Sequence, residues 1–253
     1  MRADTAVALR DVCVGYGERV AIHSISCSMR SNRTTVVLGP GGSGKSTLLR
    51  LIGGLIVPPS EGLGDSRASA GDFARYPVPE TMWHSGDIKC INGDIRILPQ
   101  ALEVSEHTLT ALLQSQSGQG LKSWLHEFWQ SVSGSASELL ESVVDTPLLA
   151  LPGPLRRLAG FTVAASVPGS LLLIDEPESG AGERECEWMR AKLAAIRGQH
   201  TIVLVTRNLK LARATSDDAI FLLDGRIVEA GETSVLFTHP AHQRTRDLLT
   251  FGS

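Results

Sequence analysis

The sequence predicts an α/β fold with a mainly parallel sheet, and three observations support it. Continuous apolar runs at 171–174 and Thr201–Val205 are typical of strands buried on both faces of a sheet. Between them, apolar residues recur at helical spacing, at Cys186, Met189, Leu193 and Ile196, and strands that alternate with helices indicate a parallel sheet. The third observation is the β-branched run Thr34–Leu38, which stops at a glycine-rich loop followed by a helical pattern.

Composition and charge set the broad class of protein. The 253 residues are 42% hydrophobic and 20% charged, which is ordinary for a globular chain. A formal net charge of -3 provides no basic field, so we expect no nucleic-acid partner. The cysteines, Cys13, Cys27, Cys90 and Cys186, form no CxxC pair, which favours buried free thiols over zinc or disulfides. We expect a soluble protein, since no signal peptide or membrane-spanning run is found.

The first hundred residues predict a group of strands around the glycine loop. Residues 7–16 and 20–29 read as strands on either side of a turn at 15–18, and 46–55 as a helix. The stretch 58–79 is rich in Pro, Gly, Ser and Ala, which predicts a flexible surface loop. Residues 86–100 predict short strands with a turn at Asn92 and Gly93.

The middle of the chain predicts a lobe of helices. Apolar residues at 121, 124, 125, 128, 129 and 132 fit an amphipathic helix. Ser135 with Glu138 predicts a capping box for a helix at 139–144. We therefore expect one domain over 1–253, with a helical lobe at 103–165 and a core formed by 1–102 and 166–253. Near the end, 219–223 and 226–230 predict a hairpin.

The glycine loop carries the strongest chemical signal. Eight consecutive residues match G-x-x-x-x-G-K-[ST]: Gly39, Pro40, Gly41, Gly42, Ser43, Gly44, Lys45 and Ser46, with Thr47 directly after them. Glycines let successive backbone N–H groups face a phosphate, and the helix start adds its positive dipole end. Lys45 supplies charge to the β- and γ-phosphates, and the Ser46 hydroxyl is an oxygen ligand for Mg²⁺. The alternative is a glycine-rich turn that happens to precede a helix.

An acidic pair follows the apolar run at 171–174. Ligands of nucleotide-binding α/β sheets collect at the carboxyl ends of the strands, where Asp175 and Glu176 would lie. Asp175 would hold Mg²⁺ through water, and Glu176 would polarise the attacking water as general base. Without the phosphate loop, a solvated strand end would explain the pair equally well.

Together these segments resemble the ATP-binding subunit of an ATP-binding-cassette (ABC) transporter. The resemblance implies a P-loop NTPase core of RecA-like type with a parallel sheet, an antiparallel β subdomain and a helical lobe. It implies that Tyr16 stacks on adenine and that Gln100 joins core to lobe, senses Mg²⁺ and contacts the membrane partner, with 103–113 as the next helix. Tyr16 as a core aromatic and Gln100 as a plain surface residue remain alternatives. The tail, 236–240 and 245–252, is similar to that of phosphate-importer ATPases.

The resemblance also implies partners and a location. We expect ATP and Mg²⁺ as cofactors and transmembrane permease subunits as partners. A homodimer, or a heterodimer with a second ATP-binding subunit, would lie in the cytoplasm on the inner face of the cell membrane. A partner groove is expected near Gln100 and the helix of Trp124 and Trp129, although either tryptophan could instead pack inside the lobe.

Three departures from the family pattern bear on activity. The signature Leu-Ser-Gly-Gly-Gln falls at 151–155, where Pro152 lacks the serine hydroxyl and both Pro152 and Pro154 lack an N–H. Arg156 and Arg157 follow; we expect a solvated basic pair, with a supply of charge in place of the signature donors as the alternative. Arg207 stands where the family has its switch histidine, and its fixed charge cannot copy a neutral imidazole. The loop at 179–182 lacks the family's aspartate.

These departures predict an ATPase that binds nucleotide well and hydrolyses it slowly. In this view Lys45, Gln100, Glu176 and Arg207 carry the reaction. A second hypothesis is a non-transport or catalytically degenerate ATP-binding regulatory subunit. A kinase or GTPase is disfavoured because the sequence contains no Asn-Lys-x-Asp guanine motif.

Overall fold

The computed structural model describes nine segments of the chain, which contain twelve strands and nine α-helices. The segments are residues 4–56, 68–69, 74–75, 82–90, 94–100, 103–104, 106–113, 120–167 and 169–251. The strands are β1 (Thr5–Tyr16), β2 (Arg19–Arg30), β3 (Thr34–Leu38), β4 (Ala68–Ser69), β5 (Ala74–Arg75), β6 (Met82–Cys90), β7 (Ile95–Leu98), β8 (Glu103–Val104), β9 (Leu171–Asp175), β10 (Thr201–Val205), β11 (Asp218–Leu223) and β12 (Arg226–Glu232). The helices are α1 (Lys45–Ile52), α2 (Leu109–Leu113), α3 (Leu121–Gln130), α4 (Gly134–Glu141), α5 (Gly153–Ala164), α6 (Glu183–Ala195), α7 (Leu209–Thr215), α8 (Thr233–Thr238) and α9 (Gln243–Phe251).

A seven-stranded sheet forms the centre of the fold. Its strand order is β12-β11-β3-β10-β9-β7-β4. The pairs from β11 through β4 are parallel, and β12 is added antiparallel through the predicted hairpin. A separate antiparallel sheet, β2-β1-β6, forms the β subdomain. The predicted α/β class with an antiparallel β subdomain is confirmed.

Every residue of β3, β9 and β10 is buried, as expected for central parallel strands. Because successive side chains of a strand point to opposite faces, Val36 and Val37 enter different hydrophobic clusters. One cluster lies beneath α2–α7, and the other joins α1 to the antiparallel sheet. The carboxyl ends of β3, β9 and β10 therefore meet at one edge of the sheet, between these two layers.

Several predicted boundaries around the strands differ from the structure. The helix predicted at 46–55 ends at Ile52, because Gly53 and Gly54 follow and Gly54 adopts φ 70°. β6 pairs with β1, and β7 with β9, so these strands lie in different sheets. Asn92 and Gly93 of the predicted turn lie outside the described residues. The same holds for the loop predicted at 58–79, apart from β4 and β5.

The helical region needs two corrections. The helix predicted at 103–113 begins at Leu109, since Glu103–Val104 form β8 and pair with β5. The capping box at Ser135 and Glu138 is wrong: α4 begins at Gly134, so both residues lie inside the helix, and its N-cap Ser133 makes no side-chain capping bond. The predicted division into a lobe at 103–165 and a core stays a prediction.

The amphipathic helix α3 agrees with the predicted pattern, and its two tryptophans differ in burial. Trp129 is fully buried and packs against Phe161, with ring centroids 6.1 Å apart. Trp124 is half-buried and stacks on Phe128 at 4.9 Å. Trp129 therefore belongs to the hydrophobic core, and a partner surface on α3 would have to use other residues. Within the described residues, no helix is both long and apolar enough to cross a membrane.

Candidate nucleotide-binding site

The phosphate-binding loop joins the end of β3 to the start of α1. Gly39 has φ 150°, and a Cβ there would come within 2.0 Å of the Leu222 carbonyl oxygen. Gly44, with φ 101°, is the N-cap of α1. Only glycine meets both demands without strain. The sequence thus forms a turn that leads the chain directly into a helix start, the usual location for bound phosphate.

Lys45 is the first residue of α1, and its ammonium group turns back over the loop. Its Nζ donates to the carbonyl oxygens of Gly39 and Pro40, both at 2.8 Å. Burial lowers the pKa of Lys45, and the charge of Arg207 lowers it further, while Glu176 and Asp175 raise it. The lysine is therefore a desolvated cation aimed at the space above the loop.

A cavity of about 490 Å³ opens above this loop, a volume typical of small-molecule sites. It brings together most of the predicted site residues: Tyr16, Gly42, Ser43, Gly44, Lys45, Ser46, Thr47, Gln100, Glu176 and Arg207. Four predicted residues, Gly39, Pro40, Gly41 and Asp175, do not line it. The first two hold Lys45 through their carbonyl groups, and the buried Asp175 acts on the charge of Lys45.

Tyr16 forms one wall of the cavity at the end of β1. Its hydroxyl lies 2.7 Å from Thr47 Oγ1 and accepts a hydrogen bond from Arg50 Nη1 at 3.2 Å. On the other side of the strand end, Trp83 Nε1 donates to the Gly17 carbonyl at 2.8 Å. The two contacts of its hydroxyl hold the Tyr16 ring beside the phosphate loop. Its stacking on adenine stays a prediction.

The acidic pair lies where β9 ends. Glu176 is 8% exposed, and its N–H donates to the Val205 carbonyl at the end of β10. Its φ of 44° is uncommon for a residue with a side chain. Gln100 Nε2 donates to Glu176 Oε2 at 2.8 Å, and Arg207 Nε donates to Oε1, also at 2.8 Å. Both carboxylate oxygens of Glu176 are therefore engaged.

Glu178 contacts the loop that carries Arg207, a connection that the sequence did not predict. Its Oε1 accepts hydrogen bonds from the Thr206 hydroxyl and, at 3.1 Å, from the Arg207 N–H. Glu178 thereby fixes the loop that carries Arg207 at the mouth of the cavity. The one signal in the sequence was its position two residues after Glu176, the predicted base. That signal was weak, because a carboxylate is equally expected in a solvated loop.

Arg157 corrects an interpretation of the sequence. It was expected to be solvated with Arg156, but it is 2% exposed and donates to backbone carbonyls around Gln100 and Glu176. Arg156 is half-buried and donates to the carbonyls of Leu149 and Leu151. The two arginines differ in burial because the Arg157 side chain points into the seam between α5 and the sheet. Helical spacing alone did not show which of them would be inside.

The altered signature segment begins α5. Pro152 is the N-cap and Pro154 lies in the first turn, where a missing N–H costs little because those groups have no partner within the helix. The helix start packs against the altered loop: a Cβ on Gly153 would lie 3.5 Å from the Gly180 carbonyl, and one on Gly182 would lie 3.8 Å from Pro154. The two departures from the family pattern are therefore neighbours in space.

The parallel sheet, the phosphate loop and the acidic strand end define a P-loop nucleoside triphosphatase. The chain belongs to the ABC transporter family, whose model matches residues 22–179. It is accordingly an ATPase of this class, and the predicted resemblance to ABC ATP-binding subunits, of phosphate-importer type, is confirmed.

Similar proteins cover almost the entire chain. Phosphate import ATP-binding protein PstB 1 of Streptococcus agalactiae serotype III (strain NEM316) is 29% identical over 244 residues, which are 95% of each chain. PstB 1 of Streptococcus pneumoniae (strain ATCC BAA-255 / R6) is 26% identical over 271 residues, 98% of each chain.

Among solved structures, the ATP-binding subunit of an ABC transporter superposes with a TM-score of 0.68 and 17% identity, covering 97% of this chain and 98% of that one. A bacterial Atm1-family ABC exporter with ATP bound superposes with a TM-score of 0.71 and 17% identity, over all of this chain and 43% of that one. These two likenesses confirm the fold.

Proposed function

We propose that the chain binds Mg-ATP in this cavity and energises an importer that carries phosphate or another small anion. The observation that carries the proposal is the arrangement of Lys45, Gln100 and Glu176 around one cavity above the phosphate loop. The relatives named as phosphate import ATP-binding proteins support the importer type. Transmembrane permease subunits would be the partners, with the chain in the cytoplasm on the inner face of the membrane.

The residues around the cavity fit a bound nucleotide. Ser43 Oγ is buried and has no hydrogen-bond partner among the described residues, so a phosphate oxygen would satisfy it. Lys45 would exchange its two carbonyl acceptors for phosphate oxygens, and Tyr16 would pack on the base. Ser46, Gln100 and Asp175 offer the hydroxyl, amide and carboxylate oxygens that Mg²⁺ prefers. ATP itself supplies the phosphoanhydride bond that is broken.

The same geometry favours slow hydrolysis. A general base must accept a proton from water, but both oxygens of Glu176 already accept hydrogen bonds, from Gln100 and Arg207. Arg207 restrains Glu176 by competing with the attacking water for Oε1, since each carboxylate oxygen can accept a second hydrogen bond. Its fixed positive charge favours the ion pair at every physiological pH, whereas a neutral histidine would not form one.

A dimer would combine two kinds of defect. In the family arrangement, the signature of one subunit faces the nucleotide held by Lys45 of the other. In a homodimer, each site would then meet both Arg207 and the proline-bearing segment at Pro152. In a heterodimer with an intact partner subunit, each site would carry one type of defect. Preorganised donors of this kind contribute about 10²–10³ in rate, so the composition of the dimer would set the turnover.

A second candidate function is a regulatory subunit that binds ATP without driving transport. The substitutions at Pro152, Pro154 and Arg207, and the glycine-rich loop at 179–182, favour it. This function predicts association with a partner that depends on nucleotide, with negligible hydrolysis even when the partner is present.

Calorimetric titration of the purified chain with ATP and Mg²⁺ tests the proposal. We expect saturable binding, which Lys45→Ala weakens about tenfold or more because a charge-assisted contact to phosphate is lost. Lys122→Ala, an exposed lysine on α3, is the matched control and should bind as wild type does. Equal affinity of wild type and Lys45→Ala would contradict the assigned site. Turnover that rises on reconstitution with permease subunits would separate the transport function from the regulatory one.

A further inference from the structure

Arg157, on the second turn of α5, makes an unusually complete set of backbone contacts. The side chain is 2% exposed, and a guanidinium carries five N–H donors in a rigid plane. These donors face five carbonyl oxygens: Nε faces Pro177, Nη1 faces Pro99 and Gln100, and Nη2 faces Asp175 and Glu176. The donor–acceptor distances for Asp175 and Glu176 are 2.8 and 2.9 Å.

The five carbonyls belong to two segments that both lead into the cavity. One follows β7 and carries Gln100; the other is the end of β9 and carries Asp175 and Glu176. β7 and β9 are neighbours in the sheet, and strand pairing stops at Leu98 and Ile174. Beyond these residues the two segments are no longer paired as strands. The guanidinium of Arg157 joins them instead.

The contacts of Arg157 bear on the backbone geometry of the predicted base. Glu176 holds a positive φ of 44°, a conformation that persists where the surroundings over-determine it. Its carbonyl accepts from Arg157, its N–H donates to Val205, and its carboxylate bonds to Gln100. Removing the guanidinium would leave buried carbonyls without their donors, and such groups relax by moving.

We propose that Arg157 is a positioning residue that sets the Mg²⁺ side of the nucleotide site, an inference that rests on the proposed function. Arg157 acts through the backbone of Gln100, Asp175 and Glu176, the residues assigned to the metal and the attacking water. The phosphate side depends on the loop and Lys45, whose bonds to Gly39 and Pro40 do not involve Arg157. Loss of Arg157 should therefore weaken the Mg²⁺ side of the site and leave the phosphate side unchanged.

A lysine cannot substitute for this arginine. An ammonium group is a point charge with three donors, whereas the five carbonyls surround the edge of a plane. Arg157→Lys keeps the charge and much of the volume, but can satisfy at most three of the five acceptors. Because α5 also begins with the altered signature segment, Arg157 connects that segment to the metal side within the same chain.

Affinity for ATP, measured with Mg²⁺ and again with excess chelator, tests the proposal on Arg157→Lys and Arg157→Gln. We expect affinity without Mg²⁺ to stay within about threefold of wild type, and the gain on adding Mg²⁺ to fall about tenfold or more. Lys192→Met is the matched control, since Lys192 is also a buried cation that donates to a carbonyl, that of Phe128, but does not line the cavity. A Mg²⁺-dependent gain that survives both Arg157 variants would overturn the proposal, as would an equal loss in Lys192→Met.

Amide hydrogen exchange without nucleotide separates this proposal from the proposed function. In folded Arg157→Lys, we expect faster exchange of the amides of Gln100, Asp175, Glu176 and Glu178 than in wild type, with no such change in Lys192→Met. Unchanged exchange of these amides would contradict the positioning role even if the chain binds ATP. Faster exchange in a chain whose wild type binds no ATP would support the positioning role and contradict the proposed function instead.

Discussion

Arg207 and Glu176 form an ion pair across the mouth of the cavity, with Nε 2.8 Å from Oε1. The glutamate side chain is 10% exposed and the arginine side chain 58% exposed, so the arginine is the partner that can leave. Because Arg207 is well exposed, solvent screens the pair and its contribution to stability is modest. The pair therefore keeps Arg207 at the base, where it competes with the attacking water.

Nucleotide affinity should begin to fall at a lower pH than it would if Lys45 had the pKa of an ordinary lysine. Burial and the charge of Arg207 lower the pKa of Lys45 from 10.5, so the ammonium loses its proton below that value. Affinity should be constant at lower pH and decrease as pH rises through the lowered pKa. Lys45→Arg stays charged over this range, so its affinity curve should lack the decrease. Identical alkaline profiles for wild type and Lys45→Arg would contradict this prediction.

Stability should also depend on Lys192. Burial lowers the pKa of Lys192 from 10.5 to about 8. The folded state therefore disfavours the charged form, and the cost is fully present below pH 8. As pH rises from about 8 to 10.5, the unfolded chain binds more protons than the folded one, so the free energy of unfolding should rise. Urea titrations at several pH values should show this rise in wild type relative to Lys192→Met. A constant difference between the two proteins would argue against the shifted pKa.

Trp129 should matter for stability and Trp124 much less. Trp129 is fully buried between Phe128 and Phe161, so Trp129→Ala should lower the free energy of unfolding by about 3–5 kcal/mol. Trp124→Ala removes a half-buried ring and should cost clearly less. Denaturant midpoints of the two variants check the order. A larger loss for Trp124→Ala would contradict the packing of α3.

Much of the fold could be predicted because its signals are local. The run Thr34–Leu38, the glycine loop after it and the apolar strand ending at Asp175 each specify an element and its neighbour. The boundary at 103–113 could not be predicted, since the pairing of β8 with β5 joins segments distant in sequence. The pattern around Ser135 satisfied a capping rule that the helix does not use.

The sequence predicted most residues of the site, but not the hydrogen bonds that join them. The motifs indicated Lys45 and Glu176, the family resemblance implied Gln100 and Arg207, and all four line one cavity. Arg157 was misread as solvated because charge and sequence position carry no information about a seam between α5 and the sheet. Glu178 was missed for a similar reason: its partners, Thr206 and the Arg207 N–H, follow a different strand.

Turnover of ATP by Arg207→His beside wild type tests the central claim most directly. Removing the permanent charge should free Glu176 and raise the rate about tenfold or more at saturating Mg-ATP, within the range expected for such groups. Arg213→His, an exposed arginine on α7, should match wild type. A rate for Arg207→His at or below that of wild type would show that Arg207 assists the reaction. The proposal that Arg207 restrains Glu176 would then be wrong.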